Sequence, residues 1–203
     1  MKLLHIADLH LGRFLDGRPR WDEQEAVLDE IVALARREEV DLVLAAGDVF
    51  DSFIPPARAE ELFYDFAARL LESGCVFIAI AGNHDQPQRM AAASPLTRRQ
   101  GLYLLGLPGE EPVTVICRDG RRAVVAALPY VSEARAQELF SADLSDDEDM
   151  SLAYRDCLAR KLRSLSAPFS EDTANIVLAH LFVNGGFSSD SERPLSEIGR
   201  AHV

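Results

Sequence analysis

The amino-acid sequence predicts an α/β fold organised around a mainly parallel sheet. Two observations predict it. Apolar runs alternate with amphipathic helical segments through the first half of the chain. The apolar runs also lack polar alternation, as strands covered on both faces do. Strand–helix–strand–helix–strand in that order implies right-handed crossovers between parallel neighbours.

Each element has its own signal. Lys2 to Ala7 reads as the first strand. Asp22 to Arg37 is a helix, with Ala26, Val27, Ile31, Leu34 and Ala35 on one face. Asp41 to Ala46 is a flat apolar strand. Pro55-Pro56 break the chain before a helix from Ala57 to Glu72, whose stripe includes Leu62, Phe63, Phe66 and Leu70 and which Gly74 ends. Val76 to Ala81 is the third strand, followed after Gln86 by a helical stretch and by a short strand, Leu102 to Leu105. Val113 to Cys117 and Ala123 to Leu128 flank Asp119-Gly120, a hairpin signal. Ser132 to Phe140 reads as a helix. Ser141 to Met150 carries Asp143, Asp146, Asp147, Glu148 and Asp149. It lacks the turn glycine of a calcium loop and reads as a solvated loop capping a helix from Ser151 to Leu165. Asn175 to Ala179 is a further buried strand, and from Gly185 onward the chain reads as polar loop.

The bulk numbers narrow the function classes. The chain has 203 residues, 48% of them hydrophobic, which suits one large domain, or one domain with a small appendage. No apolar run reaches the ~18 residues of a membrane span. The N-terminal apolar stretch is short and interrupted by His5, Asp8 and His10, unlike a signal peptide. Cys75, Cys117 and Cys157 have no paired spacing and read as buried apolar residues of a cytoplasmic protein. The net charge of −12 argues against simple coating of DNA, whose affinity comes from phosphate neutralisation. It leaves room for a nucleic-acid enzyme whose metals or protein partner supply the positive charge.

Polar residues cluster where strands end. The strands lead into Asp8-Leu9-His10, Gly47-Asp48, Gly82-Asn83-His84-Asp85 and His180. Sites in open α/β sheets form at the carboxyl ends of strands. Asp and His two apart on extended chain point to one side and can share an ion. A carboxylate on a glycine turn, such as Asp48, can bridge two ions; Asn83 offers a carbonyl oxygen and His180 an imidazole nitrogen. Mixed nitrogen and oxygen donors suit Mn²⁺, Fe²⁺ or Zn²⁺. Two ions ~3.5–4 Å apart can hold a hydroxide and a phosphoryl group for in-line displacement.

These motifs, in this order, resemble the calcineurin-like metallophosphoesterases. That series is Asp-x-His, Gly-Asp, Gly-Asn-His-Asp/Glu, a lone His and Gly-His-x-His. The stretches DLHLGR, AAGDVFD, AGNHD and AHLFVNGGFSSDSERPL are most similar to the bacterial SbcD exonuclease family, nucleases of DNA double-strand-break repair. The resemblance implies a two-layered β-sheet sandwich flanked by helices, with the metal site at the carboxyl ends of the strands. It implies that Asp8, His10 and Asp48 hold one metal and Asp48, Asn83 and His180 a second, most often Mn²⁺. It gives His84 the part of the non-ligand histidine that protonates the leaving oxygen or stabilises the transition state. Asp51 matches a carboxylate that orients that histidine in related phosphatases, and reads equally as a loop cap; Asp85 reads as a brace of its loop. Arg13 is a surface arginine or a phosphate contact.

The sequence departs from the wider superfamily in two ways. Ser52 stands where protein phosphatases carry Arg, and Asp85 where they carry Glu, which speaks against a protein phosphatase. Gly199-Arg200-Ala201-His202-Val203 does not supply Gly-His-x-His. Residues 1–203 therefore read as one nuclease domain truncated at its C-terminal end, without the capping and partner-binding regions. The expected function is a DNA nuclease subunit, 3′–5′ on duplex ends and endonucleolytic near hairpins. It would be cytoplasmic, without membrane contact, and would work with DNA and an SbcC-type ATPase. It would dimerise through the helices after Pro56 and Pro87, whose apolar residues read equally as core. The alternatives are a small-molecule or cyclic-nucleotide phosphodiesterase and an inactive scaffold.

Overall fold

The computed structural model of the protein describes residues 1–140 and 147–181. In chain order the elements are β1 (Leu3–Ile6), β2 (Phe14–Leu15), β3 (Arg18–Pro19), α1 (Trp21–Arg37), β4 (Leu42–Ala46), α2 (Ala57–Glu72) and β5 (Val76–Ile80). Then come α3 (Pro87–Ala91), α4 (Ser94–Thr97), a 3₁₀ turn (Arg98–Gln100), β6 (Leu102–Leu105), β7 (Val113–Ile116) and β8 (Arg122–Leu128). The last described elements are α5 (Glu133–Phe140), α6 (Asp147–Ser166) and β9 (Thr173–Ala179).

β1, β4, β5 and β6 form a parallel sheet in the order β1-β4-β5-β6. Every residue of β4 is buried, and the pleat explains why. Val43 and Ala45 turn to one face, where Leu28, Val32 and Ala35 of α1 and Phe63, Phe66 and Leu70 of α2 pack. Leu42, Leu44 and Ala46 turn to the other, against Val113 and Val115 of β7, Val125 and Ala127 of β8, and Leu178 of β9. Phe77 and Ala79 of β5 divide from Ile78 and Ile80 in the same way. A strand with two covered faces has no polar side, hence the flat apolar runs of the sequence.

The second sheet has the order β7-β8-β9, with β7 antiparallel and β9 parallel to β8. Its hairpin turns at Gly120, in the left-handed region with φ 80°, and closes through the Cys117 N–H donating to the Arg121 carbonyl at 2.8 Å. α5 and α6 connect β8 to β9, and α6 lies on the outer face of β8. The layers run helix, sheet, sheet, helix, the sandwich that the resemblance implied.

Five details differ from the expectation. Of the face read on α1, Ala26 and Val27 are exposed, and Leu28 and Val32 are buried with Ala35 instead. β9 is not a buried strand: of its residues only Leu178 is buried, and Val177 is 50% exposed. α6 starts at Asp147, inside the acidic stretch expected to be loop. The helical stretch after Gln86 is broken into α3, α4 and a 3₁₀ turn that Gly101 ends at φ 91°. The small hairpin β2–β3 was not expected, although Asp16-Gly17 at its tip carries the same turn signal as Asp119-Gly120; both tip residues are left-handed, at φ 50° and 74°.

Candidate metal centre

The carboxyl ends of β1, β4, β5 and β9 converge. The loop leaving β1 runs beside the loop leaving β4 and continues its ladder. The Asp8 N–H donates to Gly47 O at 3.2 Å, His10 N–H to Asp48 O at 3.0 Å, Leu11 N–H to Val49 O at 2.9 Å, and Asp51 N–H back to Leu11 O at 3.1 Å. Asp8, His10 and Asp48 all sit in the left-handed region, at φ 56°, 43° and 50°. Each such residue costs on the order of 1 kcal/mol or more and persists where the surroundings over-determine it. Three strained residues at adjoining strand ends mark a site.

Asp48 stands at the centre and is 4% exposed. Its Oδ2 is 3.8 Å from Nε2 of His10, and its Oδ1 is 3.7 Å from Nε2 of His180. Oδ1 also accepts the His84 N–H at 2.9 Å. Nδ1 of His180 lies 2.7 Å from the Ala46 carbonyl. A carbonyl only accepts, so Nδ1 carries the proton, and in the neutral ring Nε2 is left with a lone pair. That lone pair faces the Asn83 side-chain oxygen at 3.0 Å. The rings of His10 and His84 meet edge to face, 4.8 Å between centroids. Donor atoms of His10, Asp48 and His84 lie within 4.8 Å of one another.

Two glycines make this crowding possible. A Cβ on Gly47, which lies at φ 91°, would overlap the His180 ring; one on Gly82 would overlap the Asp48 carboxylate. The glycines of Gly-Asp and Gly-Asn-His are thus required by side chains far away in sequence.

The calcineurin-like phosphoesterase family model matches residues 1–198. The chain belongs to that family. It is also 41% identical over 205 residues to the SbcD component of the nuclease SbcCD of Bacillus subtilis (strain 168), covering 100% of this chain and 52% of that protein. The chain thus spans about half the length of this curated relative. The likeness read from DLHLGR, AAGDVFD and AGNHD is borne out, and the family is one of phosphoesterases.

The donor set of this calcineurin-like phosphoesterase fits a divalent cation. Nε2 of His180 and the Asn83 side chain lie 3.0 Å apart, and Asp48 offers each imidazole a separate oxygen. His10 Nδ1 is buried without a hydrogen-bond partner among the described residues. Both His–Asp48 gaps are wide of a hydrogen bond but within the reach of two bonds of ~2.1 Å to a shared ion. The structure brings His10, Asp48, Asn83, His84 and His180 together. Asp8 shares the His10 loop, yet its carboxylate is not part of the His10–Asp48–His84 group. It lines a neighbouring cleft of about 410 Å³ with Arg13, Glu23 and Gln24.

Asp51 meets its expected partner differently. The contact to Nδ1 of His84, at 3.0 Å, comes from the Asp51 main-chain oxygen. Its carboxylate instead lies 3.4 Å from Nδ1 of His10. Asp85 does brace the loops: it is 1% exposed and accepts the N–H groups of Val49 (3.1 Å), Phe50 (2.8 Å) and Gly82 (2.8 Å). Burial pushes its carboxyl above the ordinary range, against those three donors, and the Asp48 charge adds to the rise.

Sequence reasoning missed two neighbours. Gln24 of α1 clamps the first loop, donating to His10 O at 2.9 Å and accepting from Gly12 N–H at 3.1 Å. Tyr130, just past β8, donates its N–H to Ala81 O at 2.9 Å and sets its ring edge-on to His180 at 6.4 Å. Burial raises its phenol, as do the nearby charges of Glu133 and Asp48. Its place at a strand end was the available signal. The expected loop from Gly185 and the segment Gly199 to Val203 lie outside the described residues. Among the described residues no helix is long and apolar enough to cross a membrane.

Proposed function

We propose that the chain is the nuclease domain of an SbcD-type protein, acting in the cytoplasm on DNA phosphodiesters. The observation that supports this best is Asp48, held between His10 and His180 with one oxygen towards each. On the resemblance, Asp8, His10 and Asp48 would hold one divalent ion and Asp48, Asn83 and His180 a second, both Mn²⁺. The chemistry such ions would supply is activation of water at neutral pH and neutralisation of phosphoryl charge.

His84 supplies the proton. With Nδ1 donating to the Asp51 carbonyl, Nε2 holds a transferable proton only in the imidazolium form, which would give that proton to the leaving oxygen and return to the neutral ring. The backbone N–H of His84 and the Asp85 clamp keep Asp48 in register with that imidazole. The reading includes 3′–5′ cutting of duplex ends, nicking near hairpins, a homodimer, and an SbcC-type ATPase that holds the DNA. The net charge of −12 suits such a division of labour.

The test is cleavage of an end-labelled DNA duplex with Mn²⁺, alone and with the ATPase partner. Metal-dependent shortening from the 3′ end supports the reading. Hydrolysis of a mononucleotide diester, with no duplex cleavage even with the partner, replaces it with a small-molecule phosphodiesterase.

A further inference from the structure

We infer that Asp51 is a positioning residue for His10, fixing which ring nitrogen of that histidine is offered to a metal. This rests on the metal-centre reading above and deepens it.

His84 leaves the Asp51 carboxylate no role on its Nδ1 side. That nitrogen is already satisfied by the Asp51 main-chain oxygen at 3.0 Å. His10 is the histidine with an unmet need. Its Nδ1 is buried and makes no hydrogen bond among the described residues, and Oδ1 of Asp51 faces it at 3.4 Å. The other ring nitrogen, Nε2, points at Oδ2 of Asp48, 3.8 Å away. A neutral imidazole has one proton. If Nδ1 donates it to Asp51, the Nε2 lone pair is presented to the cation site beside Asp48.

Both partners are held for this contact. The Asp51 N–H is bound to Leu11 O at 3.1 Å and its carbonyl to His84, so its backbone is fixed on both sides. The His10 N–H is bound to Asp48 O, and its carbonyl accepts from Gln24 and Arg13. The Asp51 carboxylate, 34% exposed, stands 3.4 Å from that nitrogen, short of the aligned hydrogen bond required on metal binding. An outer carboxylate on a ligating histidine raises its basicity and locks its orientation, and losing one costs metal affinity about 10–100-fold.

The experiment is Mn²⁺ titration by calorimetry of the whole chain and of Asp51→Ala and Asp51→Asn. The expected result is a loss of about 10–100-fold in affinity for D51A. D51N keeps an acceptor oxygen and recovers much of the loss. In the His10→Ala background, D51A should add nothing, since the two act as one unit. Equal affinity for D51A and wild type overturns the inference, as does an undiminished D51A effect in the H10A background. A wild-type chain that takes up no Mn²⁺ removes the metal-centre reading itself, a distinct outcome. Unfolding in chelator keeps a folding defect of D51A separate from a binding defect.

Discussion

Asp48→Asn would neutralise a buried carboxylate whose oxygens face His10 and His180. The amide keeps one acceptor oxygen and turns an NH₂ group towards the other imidazole. Loss of affinity should therefore fall on both ions, which separates Asp48 from Asn83 or His180, whose loss weakens one. Titration with Mn²⁺ reads this directly. His84 poses the opposite case. The structure groups its ring with His10 and Asp48, whereas the resemblance makes it a proton donor and no ligand. His84→Ala should lower kcat by about 10²–10⁴-fold, the usual worth of a general acid, with Mn²⁺ binding unchanged. A fall in metal stoichiometry in H84A would instead make His84 a ligand. The identity of these residues was legible in the sequence because donor types stand out at strand ends. Their pairing was less so: Asp51 presents its main-chain oxygen to His84 and its carboxylate to His10, and a spacing of three residues does not say which.

Among the elements, the loops carrying the site are held by main-chain donors to Asp85, brought together from 3 to 36 positions away in sequence. Asp85→Ala leaves three buried N–H groups unsatisfied, and a cost of about 3 kcal/mol or more follows. Denaturant unfolding should register it together with weaker metal binding. Such clamps were only partly legible, since the sequence shows the acid but not the donors. Gln24 and Tyr130 escaped notice for the same reason. The elements themselves were legible, because burial on both faces strips β4 and β5 of polar residues and because Pro and Gly mark the breaks. The second sheet's position was not, since a flat apolar run does not name what covers it.

Asp41, at the start of β4, ties other elements. It is 8% exposed and accepts the Lys2 N–H at 2.7 Å and the Arg118 N–H at 3.1 Å, joining the entry of β1 to the β7–β8 hairpin. Burial works to raise its carboxyl, yet those donors and the N-terminal ammonium hold it below the ordinary range. A lowered folded value means stabilisation that is complete above the unfolded value of about 3.9 and is lost as pH falls through the folded one. Asp41→Asn should cost about 1–3 kcal/mol at pH 7 and converge with the wild type below that window, as urea unfolding across pH would show.

At the scale of the molecule, the candidate metal centre is where the two sheets meet. Asp48 leaves β4 of the first sheet, His180 ends β9 of the second, and the Tyr130 N–H joins the exit of β8 to that of β5. The unfolded chain scatters these donors over more than 170 positions, from Asp8 to His180. An ion held between them therefore binds the native state and stabilises the whole sandwich by mass action. At a free Mn²⁺ concentration of about 100 times Kd the gain is roughly 2.7 kcal/mol. For a chain of this size that is a rise of roughly 5–10 °C in Tm. Thermal unfolding followed by circular dichroism should show Tm climbing with Mn²⁺ and returning with chelator. The climb should shrink in Asp48→Asn and in His180→Ala, the two sides of the junction. A Tm indifferent to millimolar Mn²⁺ would leave the junction at Asp48 without a cation, and the nuclease reading would fall with the metal centre.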